Sequence, residues 1–264
     1  MAKKNIVSEI DDRAMATPSK GLAFSELPRT VSEIATTQIM RSALEKMPRG
    51  DGHGVLVIPG FLSDDSFNGP LRKHLDRMGY QSTGWSLGVN LGPTVSPIET
   101  AATVAKQFAE QTSGKISIVG HSLGGIYARE VAKLCPDLVR QVITLGSPFS
   151  RGQEPKNFAG KIFRWLNPDV ESLDESDEYS VAPPLPTSAV YTRTDGIVGW
   201  GLAVQKDGHG QCENIEVRGS HCGLTHNASV WYVLADRLAQ STDQWQPFNR
   251  DGWRSLLYPT PFVG

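Results

Sequence analysis

Short apolar runs and helical stripes alternate along most of this chain. VLVI at 55–58 is a wholly apolar run, of the kind buried on both faces of a parallel sheet. Comparable runs follow at 80–85 (YQSTGW), 115–119 (KISIV), 141–145 (QVITL), 188–192 (SAVYT) and 214–217 (NIEV). Segments 67–78, 97–112, 123–134 and 228–240, which lie among them, carry helical periodicity. Strands alternating with helices predict right-handed βαβ crossovers, and so an α/β architecture with a mostly parallel sheet of about six strands flanked by helices.

Two stretches break this rhythm. Residues 1 to about 27 are polar and aperiodic, and read as a loose arm without chemistry. From Thr30 to Met47, residues Val31, Ile34, Ile39, Ala43 and Leu44 fall roughly on one helical face, with Thr30 or Ser32 available as cap. This predicts an amphipathic helix packed on the core. Its polar face mixes charges instead of concentrating Lys and Arg, which speaks against a membrane-surface role. The second stretch, 149–186, is longer than a plain crossover and holds KIFRW, the acidic DVESLDESDE and the proline-rich VAPPLP. It reads as a lid or cap insertion, its acid run a solvated face. The expected organisation is an arm and helix over 1–50 and one main domain over 51–264.

Composition narrows the classes. The formal net charge is −2 and the basic residues are dispersed, so no field for nucleic acid exists. The chain lacks an apolar run of the ~18 residues that cross a bilayer, and acids interrupt its opening before a signal-peptide core could form. Stable membrane insertion is not expected, and the reading is cytoplasmic, with export left open. Three cysteines without a C-x-x-C pair, and six histidines without zinc-protease spacing, give no support for a metal or cofactor.

The chemistry concentrates at GHSLG, 120–124. This is the G-x-S-x-G pattern of a nucleophile elbow, placed as that motif demands between the strand KISIV and a helix starting near Leu123. The glycines belong there because the turn strains the serine backbone and presses chain segments together, leaving no room for Cβ atoms. Ser122 is therefore the candidate nucleophile, and Leu123, directly after it, a candidate backbone donor to an oxyanion.

Taken in order, VIPGF, GHSLGG, TLGSP, RTDGIV and GSHCGL resemble the α/β-hydrolase family of bacterial serine esterases and lipases, over roughly Gly54 to Gln240. A PGF loop stands in place of the His-Gly dipeptide found in other members. With no strand visible before Val55, the sheet resembles a trimmed version of that fold. The resemblance implies chain order Ser, acid, His. His221 follows the strand NIEV through a short loop, at the sheet's carboxyl edge, and is the candidate base. His209 and His226 read as surface or supporting residues, and His121 as packing beneath the elbow. Asp195, just past SAVYT in TRTDGIV, is the candidate acid; Asp-Gly is also an ordinary turn pair, and Asp169, Asp174 and Asp177 are the alternatives.

The resemblance further implies that Phe61, after the glycine of PGF, supplies the second oxyanion donor. Leu62, Trp85, Asn90 and Val198 are candidate substrate-binding residues. A Cys212–Cys222 bridge would pin the histidine loop, but a reducing compartment opposes it. The implied activity is hydrolysis of carboxylic esters through an acyl-enzyme, with short to medium acyl chains preferred and no cofactor. Acyl transfer, perhydrolysis, triacylglycerol lipase activity and a non-catalytic binding protein on the same fold are the alternatives. Oligomeric state has no signature in the sequence.

Overall fold

The computed structural model describes residues 14–92, 97–112, 114–150, 158–167, 177–241 and 244–261. Six parallel strands form one sheet: β1 (Gly54–Ile58), β2 (Gln81–Gly84), β3 (Ile116–His121), β4 (Val139–Leu145), β5 (Thr187–Tyr191) and β6 (Cys212–Glu216). Their spatial order is β2-β1-β3-β4-β5-β6, each neighbour parallel. After β1 the chain moves to one side and then, at β3, to the other. That reversal opens a crevice beyond the carboxyl ends of β1 and β3, where α/β sheets place their sites.

The period of two along each strand divides the core. Val55, Val57, Val119, Ile143 and Val190 face helices α2 (Gly69–Arg77) and α6 (Ala228–Leu238). Leu56, Ile58, Ile118, Val142 and Ala189 face α3 (Pro97–Gln111) and α4 (Leu123–Leu134). Both faces are covered, so β1 is apolar throughout, as its run predicts, and β3 is wholly buried, its Ser117 hydroxyl paired with His53. Truncating a side chain such as Leu56, wholly buried, to alanine is expected to cost about 2–5 kcal/mol.

The amino-terminal region departs from expectation. Residues 1–13 lie outside the described residues, but 14–27 is no loose arm. Ala14 is buried, and helix α1 runs from Lys20 to Leu44, capped by the Ser19 hydroxyl, which accepts from the Leu22 N–H. The helix continues through Pro28. An interior proline costs about 3 kcal/mol, and the helix reaches back past the expected Thr30 start in spite of it. Of the expected apolar contact face, Leu44 is buried in the core, but Val31 is 58% and Ile39 82% exposed, while the polar Glu26, Thr30 and Thr37 are buried. The helix packs against loops beyond β5 and β6, whose backbone polar groups need polar partners.

From the insertion, the described residues include helix α5 (Phe158–Leu166) and a short 3-10 turn, Asp177–Ser180. A further short helix, α7 (Arg254–Leu257), lies near the chain's described end. Among the described residues, no helix is long and apolar enough to cross a membrane, and no cluster of side chains could hold a metal ion.

Candidate active site

Ser122 sits between β3 and α4 with φ 51° and ψ −124°, a conformation that L-residues adopt only under constraint. Its N–H donates to the Leu145 carbonyl at 2.8 Å, which ties the turn to β4. Close approach explains the neighbouring glycines. A Cβ on Gly124 would lie 2.5 Å from the carbonyl oxygens of Ile58 and Pro59, and one on Gly60 would lie 3.0 Å from the Ser122 Cβ. The loop after β1 therefore lies directly against the serine turn.

That loop is braced from behind. The Asn90 side-chain amide donates to the Pro59 carbonyl at 2.9 Å, and the Leu62 N–H donates to the Asn90 carbonyl at 2.7 Å. Among the described residues, neither the Phe61 N–H nor the Leu123 N–H has an acceptor within the chain.

Asp195 lies past β5 and His221 past β6, both buried. Asp195 Oδ2 meets His221 Nδ1 at 2.6 Å. The other oxygen, Oδ1, accepts from the N–H groups of Ile197 at 2.8 Å and Val198 at 2.7 Å. A carboxylate held this way accepts the Nδ1 proton and leaves Nε2 as the imidazole's free lone pair. Burial pulls the His221 pKa down, but the Asp195 charge and hydrogen bond, with the Glu26 charge, more than offset it and leave it raised.

His121, beside the serine, donates from Nε2 to the His221 carbonyl at 3.0 Å, since a carbonyl can only accept. Burial, then the nearby His221, push its pKa down to about 3, so it is a neutral support. It also lies on the cavity wall.

Ser122, Leu123 and His221 line one cavity of about 570 Å³, walled largely by apolar groups that include Phe61, Leu62 and Phe163. Helix α5 covers it. The Phe163 ring meets that of Phe61 edge to face at 5.2 Å, and the Asn167 amide donates to the Leu91 carbonyl at 2.9 Å.

The other sequence candidates are placed as follows. Leu62 lines the cavity, whereas Trp85, Asn90 and Val198 do not. Trp85 is core, stacked on Tyr127; Asn90 braces the Phe61 loop; Val198 orients Asp195 through its N–H. Asp169 and Asp174 lie outside the described residues, and Asp177 begins the 3-10 turn named above. All three cysteines are free, so Cys212 and Cys222 form no bridge. His209 is exposed, with Nε2 at 2.8 Å from the Pro183 carbonyl, whereas His226 is buried against Phe67 and is not a surface residue.

Sequence reasoning missed Glu26. Its buried carboxylate, on α1, accepts backbone N–H groups from both the Asp195 and the His221 loops. The one sequence signal was a polar stripe of Glu26, Thr30, Glu33 and Thr37 at helical spacing, which a search for apolar faces passes over.

Comparison with known proteins bears on the family and the fold. Over 73 residues, 28% of this chain, it is 34% identical to triacylglycerol lipases of Pseudarthrobacter phenanthrenivorans and Burkholderia plantarii; the matched stretch spans only 23% and 20% of those proteins. The fold is similar to that of Aspergillus fumigatus lipase B, with a TM-score of 0.58 and 15% identity over 73% of this chain and 53% of that one. The sequence model of the alpha/beta hydrolase family matches residues 55–263, so on sequence and on fold this chain belongs to the alpha/beta hydrolase family.

Proposed function

We propose that this chain hydrolyses carboxylic esters through an acyl-enzyme on Ser122. The observation that carries the reading is the 2.6 Å pair of His221 and Asp195 on the same crevice as a strained serine. Ser122 Oγ attacks the ester carbonyl while His221 Nε2 takes its proton, and Asp195 stabilises the imidazolium. The N–H groups of Phe61 and Leu123 receive the developing oxyanion. The imidazolium then gives its proton to the departing alkoxide, and the alcohol leaves. Water, deprotonated by the same histidine, attacks the acyl-enzyme; the acid departs and Ser122 regains its proton.

A chamber of about 570 Å³ with apolar walls supports acyl chains of two to about eight carbons. A second reading, triacylglycerol lipase, is favoured by the names of the matched relatives. A series of nitrophenyl esters from acetyl to palmitoyl, with emulsified triglyceride alongside, separates the two. The first reading expects a maximum at or below octanoyl and little emulsion activity. Emulsion turnover above the monomeric-ester rate would establish the second.

A further inference from the structure

The 2.6 Å contact between Asp195 and His221 joins two loops that leave the sheet after different strands. Helix α1 laces those loops together. Glu26 Oε1 accepts from the Gly196 N–H at 2.8 Å and the His221 N–H at 3.1 Å, and Oε2 accepts from the Cys222 N–H at 3.0 Å. Arg29 pairs with Glu26 at 2.9 Å and donates to the carbonyls of Thr194 at 2.7 Å and Gly219 at 3.1 Å, one in each loop. Farther along, Glu33 accepts from the Ser220 N–H at 2.7 Å. The approach is close: a Cβ on Gly196 would lie 2.6 Å from the Leu22 carbonyl oxygen and 2.7 Å from Glu26 Oε1.

We propose that Glu26 is a positioning residue: its buried carboxylate clamps the Asp195 loop to the His221 loop and holds a second acidic group against the His221 backbone. The inference rests on the proposed role of His221 as base. Glu26 does not line the cavity, so it acts through the pair and not on substrate. Two consecutive N–H groups donating to one carboxylate fix the direction of the His221 Cα–Cβ bond, and charge-assisted bonds of this kind are the stronger ones.

Among the described residues, several titratable groups surround His221. Asp195 contacts the ring, Glu26 the backbone, and neutral His121 the carbonyl. Cys222 beside it is kept protonated, its thiol pushed up to about 12 by burial and then by Glu26 and Asp195. Glu33 lies one residue back at Ser220, and Arg29 partly balances Glu26. Negative charge dominates this set, and Glu26 contributes to the raised pKa of His221.

The test compares the full chain with Glu26→Gln and Glu26→Asp. The readouts are NMR titration of the His221 ring, kcat and KM against pH with nitrophenyl butyrate, and thermal unfolding. In Glu26→Gln the amide must turn an N–H toward backbone donors and the charge is lost. The His221 midpoint is expected to move to lower pH, and kcat to fall about tenfold with KM within about twofold of wild type. Glu26→Asp, which keeps the charge on a shorter arm, should hold the midpoint and recover part of kcat.

A wild-type midpoint and kcat in Glu26→Gln, or equal behaviour of the two variants, would overturn the clamp. If Glu26→Gln does not fold, Glu26→Asp decides: lowered kcat at unchanged KM and midpoint supports the clamp, and wild-type kcat overturns it. Because the NMR titration needs no substrate, a shifted midpoint in a protein without ester turnover supports the clamp and contradicts the proposed function instead.

Discussion

Asp195 divides its two oxygens between His221 and the protein backbone: Oδ2 lies 2.6 Å from the imidazole Nδ1, and Oδ1 takes the N–H groups of Ile197 and Val198. Asp195→Asn should therefore fold normally, because the amide oxygen can still accept both backbone donors. Its NH2 then faces Nδ1, which must accept, and the imidazole proton moves to Nε2, where a base needs its lone pair. A loss of about 10⁴ in kcat is expected. The same change at Asp169, Asp174 or Asp177 should cost far less. Steady-state turnover of the four variants checks this; retained activity in Asp195→Asn with a collapse in one of the others would move the acid to the insertion.

The raised pKa of His221 sets a pH window. Turnover needs the neutral imidazole, so the acid limb of kcat/KM should lie above the ordinary histidine value of 6.5. For stability the sign runs the other way. A pKa raised on folding contributes stability that is full below the unfolded value, near 6.5, and fades as pH rises through the folded one. Activity should rise over the window in which this contribution is lost. Thermal midpoints of wild type and His221→Gln against pH measure it: the decline across that window should flatten in the variant, and parallel curves would refute the assignment.

Phe163 roofs the cavity on the Phe61 ring, with centroids 5.2 Å apart. Removing it should weaken contacts to an acyl chain more than it disturbs the reacting bond. In Phe163→Ala, kcat/KM for an octanoyl ester is expected to fall about tenfold further than for an acetyl ester. Labelling by a small phosphonate should change little. Equal losses for all substrates would mark α5 as structural only.

Asn90 works from outside the cavity. Asn90→Ala leaves the Pro59 carbonyl unpartnered and frees the loop that carries the Phe61 N–H, at a cost of about 1–3 kcal/mol in stability. If that N–H receives the oxyanion, kcat should fall by about tenfold or more while KM holds. Calorimetry and steady-state kinetics separate the two effects; unchanged kcat in a destabilised protein would remove Phe61 from the reaction.

What could be read in the sequence was local. The strand runs 55–58 and 115–119 and the GHSLG turn carry their own signals, because burial on two faces and a strained serine each dictate residue types within a few positions. Strand ends also suggest which loops share the sheet's carboxyl edge, which brings Asp195 and His221 together. They do not say which side chains turn inward, so Trp85, Asn90 and Val198 take supporting places while Phe163 enters the cavity from the insertion. The contact least accessible to sequence reading is among the longest. Glu26 lies 195 residues from His221, on a helix that runs through a proline and whose buried stripe is polar. No local periodicity reports a partner at that separation.

The central claim is that Ser122 is the nucleophile, and covalent labelling tests it most directly. Wild type treated with a nitrophenyl phosphonate should gain the mass of one phosphonyl group, located on the peptide bearing Ser122, with loss of esterase turnover in step with labelling. Ser122→Ala should take no label and lose nearly all turnover at an almost unchanged thermal midpoint, since alanine fills less space than serine at that turn. Labelling of the alanine variant, or turnover retained by it, would contradict the account.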